Sequence, residues 1–415
     1  MKTAVVGGGA AGFFLAINLA ELCPAMEVTI FERGSRVLRK VAVSGGGRCN
    51  CTNTFAARAS AGSLQAGGGA SGWQRGQSLQ SVYPRGHRLL ERLFLQFSPS
   101  DAYQWFESHG VPLTVQPDGC VFPRSQSSQT IIDMFIAEAR RLGIGIRTNA
   151  PVNSPGELAC YDFIAITTGG MKGSAALNGY VNIVPPVPSL FTFSIDDQRL
   201  TSLMGTVVDD VEVMIPGTKL RAAGPLLITH WGMSGPCILR LSSYAARVLS
   251  DHRYTMPLSV NWLGGWREGD VLDCLRDAMT RHRQKLLSTV GPLFGTEKGG
   301  VPQRLWCYLL EKALGSRAHA PWDSLNRKEL NRLVNQLVND QYTIAGRAPF
   351  KDEFVTCGGV DLASVKPATL ECRQRPRLFF AGEVLDIDGV TGGFNFQAAW
   401  TTAYTVAKAI ASMAD

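Results

Sequence analysis

Gly7, Gly9 and Gly12 stand in the spacing G-x-G-x-x-G, and Glu32 follows twenty residues after the last of them. That spacing suits the phosphates of a dinucleotide. One glycine permits a tight turn, the next lets the backbone approach a pyrophosphate, and the third brings a helix close to a strand. Ala10, Ala11 and Gly12 open that helix, whose free N-terminal amides favour an anion. Glu32, with Arg33 beside it, is placed to accept hydrogen bonds from ribose hydroxyls.

Three more segments carry the same kind of chemistry. Lys40 leads into Ser44-Gly45-Gly46-Gly47-Arg48-Cys49-Asn50, a run of three glycines flanked by hydroxyl, basic and amide groups. It suits a backbone nest pressed against a planar or anionic ligand. Thr168, Gly169 and Gly170 follow an apolar run, and Gly382, Glu383 and Asp386 follow another, where a carboxylate can bind the hydroxyls of a ribityl chain. Gly392, Gly393, Phe394 and Asn395 open a last helix, whose amides can stabilise negative charge.

The elements that must position these groups are legible from period and punctuation. Residues 3–6 and 27–31 read as buried strands around a helix over 10–21, a βαβ unit with parallel strands. Further helices are expected over 87–97, 100–109 and 127–142, and further strands over 144–148 and 161–167. Residues 55–80, rich in Gly, Ala and Ser, read as a long surface loop. From Pro185 the pattern turns to short β-like runs at 191–194, 211–215 and 226–229. It becomes helical at 271–290, 305–314 and 327–338, and a helix over 397–411 closes the chain. The expected fold class is α/β, in three parts. A Rossmann-like domain comes from both chain ends (1–185 and 350–415), with an inserted β-rich domain (186–268 and 341–349) and a small helical domain (269–340).

Composition excludes several classes. With 45% hydrophobic and 18% charged residues over 415 positions, the chain is neither disordered nor fibrous. A net charge of +7, with small groups such as Arg281, Arg283 and Lys285, reads as a solvated face. A nucleic-acid partner is disfavoured because no aromatic and basic stripe accompanies the charge. Ten scattered cysteines show no metal-ligand spacing, so no metal is expected and the thiols read as reduced, in a cytoplasmic protein. Glycines interrupt the apolar N-terminus, so it is not a signal peptide, and no run of about 18 apolar residues suggests a membrane span.

Taken in order, VVGGGAAG from Val5, KVAVSGGGRCNCTN from Lys40, GCVFPRS from Gly119, LLITHWGMSGPCILRLSS from Leu226, TCGGVDLASVKPATLE from Thr356 and LFFAGEVLDIDGVTGGFNFQAAW from Leu378 span nearly the whole chain. Together they resemble the BaiN-like, or YhiN-type, family of bacterial NAD(P)/FAD-dependent oxidoreductases. The resemblance implies FAD as cofactor, lined by the Lys40 loop and the 382–397 turn. It also places Thr229, His230, Gly232 and Ser234 near a domain interface, with His230 and Ser234 as substrate-side candidates. The segment 171–180 departs from the family's pattern, being shorter and different in sequence.

Only one complete dinucleotide fingerprint is present, so any NAD(P)H would bind transiently or be replaced by another electron donor. The reaction implied is oxidation or reduction of a small molecule, either reduction of an enone or oxidation of an amine. A tRNA-associated flavoprotein and a non-catalytic FAD-bound sensor are the rivals from other classes. No residue in the sequence is singled out as the catalytic acid or base.

Overall fold

A computed structural model describes residues 1–55, 78–170, 177, 179–291, 301–347 and 355–414. It divides into two compact units, Met1–Val187 with Val355–Asp415, and Pro188–Phe354.

The first unit is built on a five-stranded sheet in the order Leu378–Phe380, Phe163–Ile166, Lys2–Val6, Glu27–Phe31, Gly145–Arg147. Every pairing is parallel. Parallel sheets are covered on both faces, which is why the inner strands are buried without alternation over 3–6, 28–31 and 163–166. Helix Ala10–Leu22 is buried from Ala11 to Ala20 and lies against the C-terminal helix Phe394–Ala414. Aromatic rings pack at that contact, with Phe14 5.1 Å from Trp400 between centroids, and Trp105 of helix Pro99–Ser108 joins them 4.4 Å from Phe14. Burying each such ring contributes roughly 1.5–3 kcal/mol, and the edge contacts add to this. A small antiparallel sheet joins Thr52–Asn53, Cys120–Pro123 and Leu113–Val115.

The second unit is a closed six-stranded barrel in the order Val207–Met214, Arg221–Thr229, Gly232–Ser234, Phe193–Ile195, Asp340–Arg347, Thr255–Asn261. Asp340–Arg347 alternates buried and exposed residues over its first six positions, as a strand with one face on the core must. Helices Glu268–Arg281, Gln303–Leu314 and Arg327–Val338 pack on it. Trp262, Trp306, Trp322, Leu309 and Leu333 belong to one hydrophobic cluster with barrel residues such as Val213, Ile228 and Leu258. Residues 269–340, expected as a separate helical domain, therefore share a core with the β-rich part.

The helix expected over 271–290 stops at Arg281. Beyond it Leu287 is drawn into the core, and its N–H donates to Ala320 O at 3.0 Å, which a continuing helix would forbid. Most of the expected loop 55–80 lies outside the described residues, as do 171–176 and 178; Leu79–Val82 is a short helix. Among the described residues no helix is long and apolar enough to cross a membrane.

Candidate functional site

Strand Lys2–Val6 ends at Gly7, whose φ of +119° suits glycine and whose N–H donates to Phe31 O at 2.8 Å. A Cβ on Gly7 would stand 2.5 Å from Thr167 O, and one on Gly12 only 2.0 Å from Gly7 O. These two glycines serve chain packing. Gly9 differs: it is extended (φ −94°), and a Cβ there would meet nothing within 4 Å. It caps helix Ala10–Leu22 without any side-chain cap, so no cap side chain takes up the first amides of that helix. Glu32 accepts from Gly8 N at 2.9 Å and Gly34 N at 2.8 Å. A carboxylate offers about four lone-pair sites, so it retains capacity for a ribose diol. Arg33 beside it is exposed.

The second segment is held just as specifically. Helix Arg39–Val43 ends at Ser44, whose hydroxyl donates to Val41 O at 2.8 Å. Gly45, Gly46 and Gly47 take φ of +55°, +68° and +83°, and Gly46 and Gly47 have nothing within 4 Å of a Cβ. Their backbone is thus open on one side, as a nest for an anion or a flat ring requires. Arg48 lies over the Phe122 ring at 4.4 Å and donates to Gly45 O at 3.2 Å. Cys49 is buried at φ +60°, and Asn50 Oδ1 accepts from Val121 N at 3.3 Å.

This loop is bolted to the start of the C-terminal helix. Thr52 donates to Gln397 Oε1 at 2.5 Å, Asn53 to Gly392 O at 2.9 Å, and Trp400 to Cys51 O at 2.7 Å. A Cβ on Gly393 would stand 2.4 Å from Thr52 O. Asn395 braces the turn by exchanging hydrogen bonds with the Gly389 backbone, at 2.8 and 2.9 Å. Phe394 is buried against Phe55 and Tyr83, and the Tyr83 hydroxyl donates to Phe394 O at 2.8 Å.

Glu383 links the remaining pieces. It accepts from Lys40 Nζ at 2.7 Å and from Thr356 N at 2.9 Å. A Cβ on Gly169 would be 3.6 Å from this carboxylate, and one on Gly170 3.0 Å from it and 2.1 Å from Thr356 Oγ1. Thr168 beside them is exposed, next to Gly7. Gly382 sits against Ala11, and Asp386 accepts from Gly358 N at 3.1 Å. Glu383 and Asp386 are therefore partly buried and partnered, unlike ordinary turn acids.

Thr52, Asn53, Asp388 and Gln397 lie in segments that the sequence points to, without a role of their own there, and Arg85, Thr356 and Trp400 are not singled out by it. Asp388, fully buried, pairs with Arg85, and Thr52, Asn53, Thr356, Gln397 and Trp400 tie the segments together. Asp388 gave a signal, a second acid two positions after Asp386. The Cys51 thiol is held well above its usual range by its hydrogen bond with Cys49 and by burial, and burial pushes Cys120 up to about 11.

His230 and Ser234 belong to the second unit. His230 is exposed on the turn after Arg221–Thr229, with its ring 4.0 Å from that of Trp231. Ser234 is half-buried and pairs with Leu227 across two strands. Gly232 and Gly235 have a packing task, since a Cβ would meet Phe193 O at 2.4 Å and Pro225 O at 2.7 Å.

An uncapped helix start, an open glycine nest and a carboxylate with spare lone pairs suit the pyrophosphate, ring and ribose of FAD. Together with the parallel sheet they define an FAD-dependent oxidoreductase with a Rossmann-type fold. The chain belongs to the family described as HI0933-like protein Rossmann domain, which it matches over residues 1–409. It is 25% identical to a 3-dehydro-bile acid delta(4,6)-reductase of Clostridium scindens, over 99% of both chains. It is 28% identical to a ribosomal RNA dihydrouridine synthase of Escherichia coli, over 97% of this chain and 96% of that one. A solved 3-ketosteroid delta1-dehydrogenase of Sterolibacterium denitrificans aligns over 99% of both chains, at 12% identity and a TM-score of 0.49.

Proposed function

We propose that this enzyme reduces a carbon–carbon double bond conjugated to a carbonyl group. FAD is held across the Gly7–Gly12 turn, the Ser44–Asn50 loop and the Gly389–Asn395 turn. The observation that carries the reading is the whole-chain likeness to two reductive relatives. The activities they are named for concern one kind of bond. A delta(4,6) diene in a 3-dehydro acid is conjugated to the 3-ketone, and dihydrouridine is uridine saturated beside its C4 carbonyl.

FAD supplies the two-electron chemistry. The protein's share is positional and electrostatic. The amides that open helix Phe394–Ala414 have no partner within the helix, and its dipole favours negative charge at that end. Lys40 and Glu383 join the nest to the strand ends, which keeps the two sides of the cradle in register. Thr52, Asn53 and Gln397 exclude slack between the loop and the helix. Electrons come from NAD(P)H bound transiently, since the single fingerprint turn is taken by FAD.

The test is anaerobic turnover of the purified yellow protein with NADPH or NADH and a steroid 4-en-3-one. The expected product carries two more hydrogens, and an isolated alkene is left untouched. Equal reduction of both alkenes, or of neither, would refute the reading.

A further inference from the structure

Three helices of the first unit end at one place. Helix Ala10–Leu22 brings Glu21 in its last turn, helix Pro99–Ser108 ends on His109, and helix Ser128–Arg141 brings Glu138 in its last turn. Helix C-termini carry partial negative charge, so three of them meeting favour a cation. One side-chain atom from each of Glu21, His109 and Glu138 lies within 4.8 Å of the other two. Glu21 stands roughly 16 Å from the Gly9 turn, at about 1.5 Å per residue along the first helix, so the cluster is separate from the cofactor cradle.

The histidine is held in the form that a metal needs. His109 Nδ1 lies 2.7 Å from Trp105 O, and a carbonyl only accepts, so Nδ1 carries a hydrogen. The ring also stacks on Trp105 at 3.9 Å, which fixes its plane. Nε2 is thereby turned on the Glu21 carboxylate, 3.2 Å away. In a neutral imidazole that nitrogen is a lone pair facing a negative oxygen, an arrangement that needs a positive centre between them. Two ligand atoms on a tetrahedral zinc ion, at about 2.1 Å each, stand roughly 3.4 Å apart, close to the separation found here. The spacing of the residues along the chain hides the set, because 88 positions separate Glu21 from His109.

Arg141 supplies a competing positive charge. Its guanidinium bridges Glu21 at 3.0 Å and Glu138 at 2.5 Å. The Arg141 side chain is 56% exposed, against 32%, 12% and 18% for Glu21, His109 and Glu138, so it can swing into water while the other three stay in place.

We propose that Glu21, His109 and Glu138 form a zinc-binding site that fastens the C-terminal ends of three helices together, with water in the fourth position. His109 gives Nε2 and each glutamate gives one oxygen, a set that zinc accepts. Calcium and magnesium prefer shells made of oxygen alone. Without the ion, Arg141 and a proton on His109 fill the same place.

The experiment titrates zinc chloride into the FAD-loaded full chain, first stripped of metal with EDTA, by isothermal calorimetry. It compares the wild type with His109→Gln, Glu138→Gln and Arg141→Gln, whose FAD content and circular dichroism report the fold. The wild type is expected to bind one zinc ion and to melt at a higher temperature with it. His109→Gln and Glu138→Gln are each expected to bind at least about tenfold more weakly and to lose that rise in melting temperature. Arg141→Gln is expected to bind about tenfold more tightly, because the competing charge is gone.

Absence of zinc binding by the wild type would overturn the assignment. So would equal binding by the wild type and both ligand variants, which would put the ion elsewhere, at exposed Cys160 or His252. Binding weakened in Arg141→Gln as much as in His109→Gln would also overturn it, because the cluster would then be an ion-pair network and not a ligand set.

Discussion

Replacing Gly9 by alanine separates folding from cofactor binding. Gly9 has φ −94° and ψ −166°, a conformation open to alanine, and a Cβ there meets no protein atom within 4 Å. The methyl group should therefore change the apoprotein's stability little: restricting the unfolded chain favours alanine by about 0.4–1 kcal/mol, and alanine's poorer performance as an N-cap costs a similar amount, about 0.5–1 kcal/mol. With FAD present the same methyl occupies the space that a pyrophosphate needs over the amides of Ala10 and Ala11. Loss of two charge-assisted hydrogen bonds, at roughly 1.5–3 kcal/mol each, amounts to about 3–6 kcal/mol. At about 1.4 kcal/mol per factor of ten, FAD affinity should fall roughly a hundredfold to ten-thousandfold. Thermal melting of the apoprotein and titration of flavin fluorescence measure the two effects independently. Unchanged FAD affinity would remove the pyrophosphate from this turn. An apoprotein destabilised as much as the complex would make Gly9 a packing residue like Gly12.

Gly393→Ala should fail in the opposite way, destabilising the apoprotein itself. The new Cβ would sit 2.4 Å from Thr52 O at φ +88°, a strain and overpacking cost of about 2–5 kcal/mol; an unchanged urea midpoint would refute it. Asp388→Ala should cost about 3–5 kcal/mol because Arg85 is left buried without its carboxylate, readable as a fall in melting temperature that Arg85→Met in the same chain partly restores. His109 supplies a pH-dependent contribution. Burial lowers its affinity for a proton, but the Glu21 carboxylate and the Trp105 carbonyl outweigh this and raise it above the ordinary value. The stabilisation is therefore complete below about pH 6.5 and is lost as pH rises through the folded value, so His109→Gln should cost about 0.5–1 kcal/mol near pH 5.5 and less near pH 9. Equal costs at both pH values would contradict this.

What the residues disclosed depended on distance along the chain. Strand Glu27–Phe31 and helix Arg327–Val338 have the expected bounds because each carries a complete pattern, one a β-branched and apolar run over 28–31 and one apolar at helical period, with Asn326 capping the helix. The glycine turn was legible because all of its parts lie within 33 residues. The pairs that shape the cradle were not, since Lys40 meets Glu383 and Thr52 meets Gln397 across more than 340 residues. Strands Leu113–Val115 and Cys120–Pro123 are too short to show a period, and their stability comes from pairing with each other and Thr52–Asn53. Periodicity found helices between 269 and 340 but not the surface their apolar faces cover, which is the barrel.

The central claim is that FAD in this cradle passes electrons to a carbonyl-conjugated double bond. The direct measurement is anaerobic stopped-flow of the protein with its flavin already reduced, mixed with a conjugated enone. Return of the oxidised flavin spectrum in step with saturation of the alkene is the expected result. A flavin that stays reduced with the enone, while the oxidised protein is bleached by a small amine and then yields peroxide in air, would contradict it.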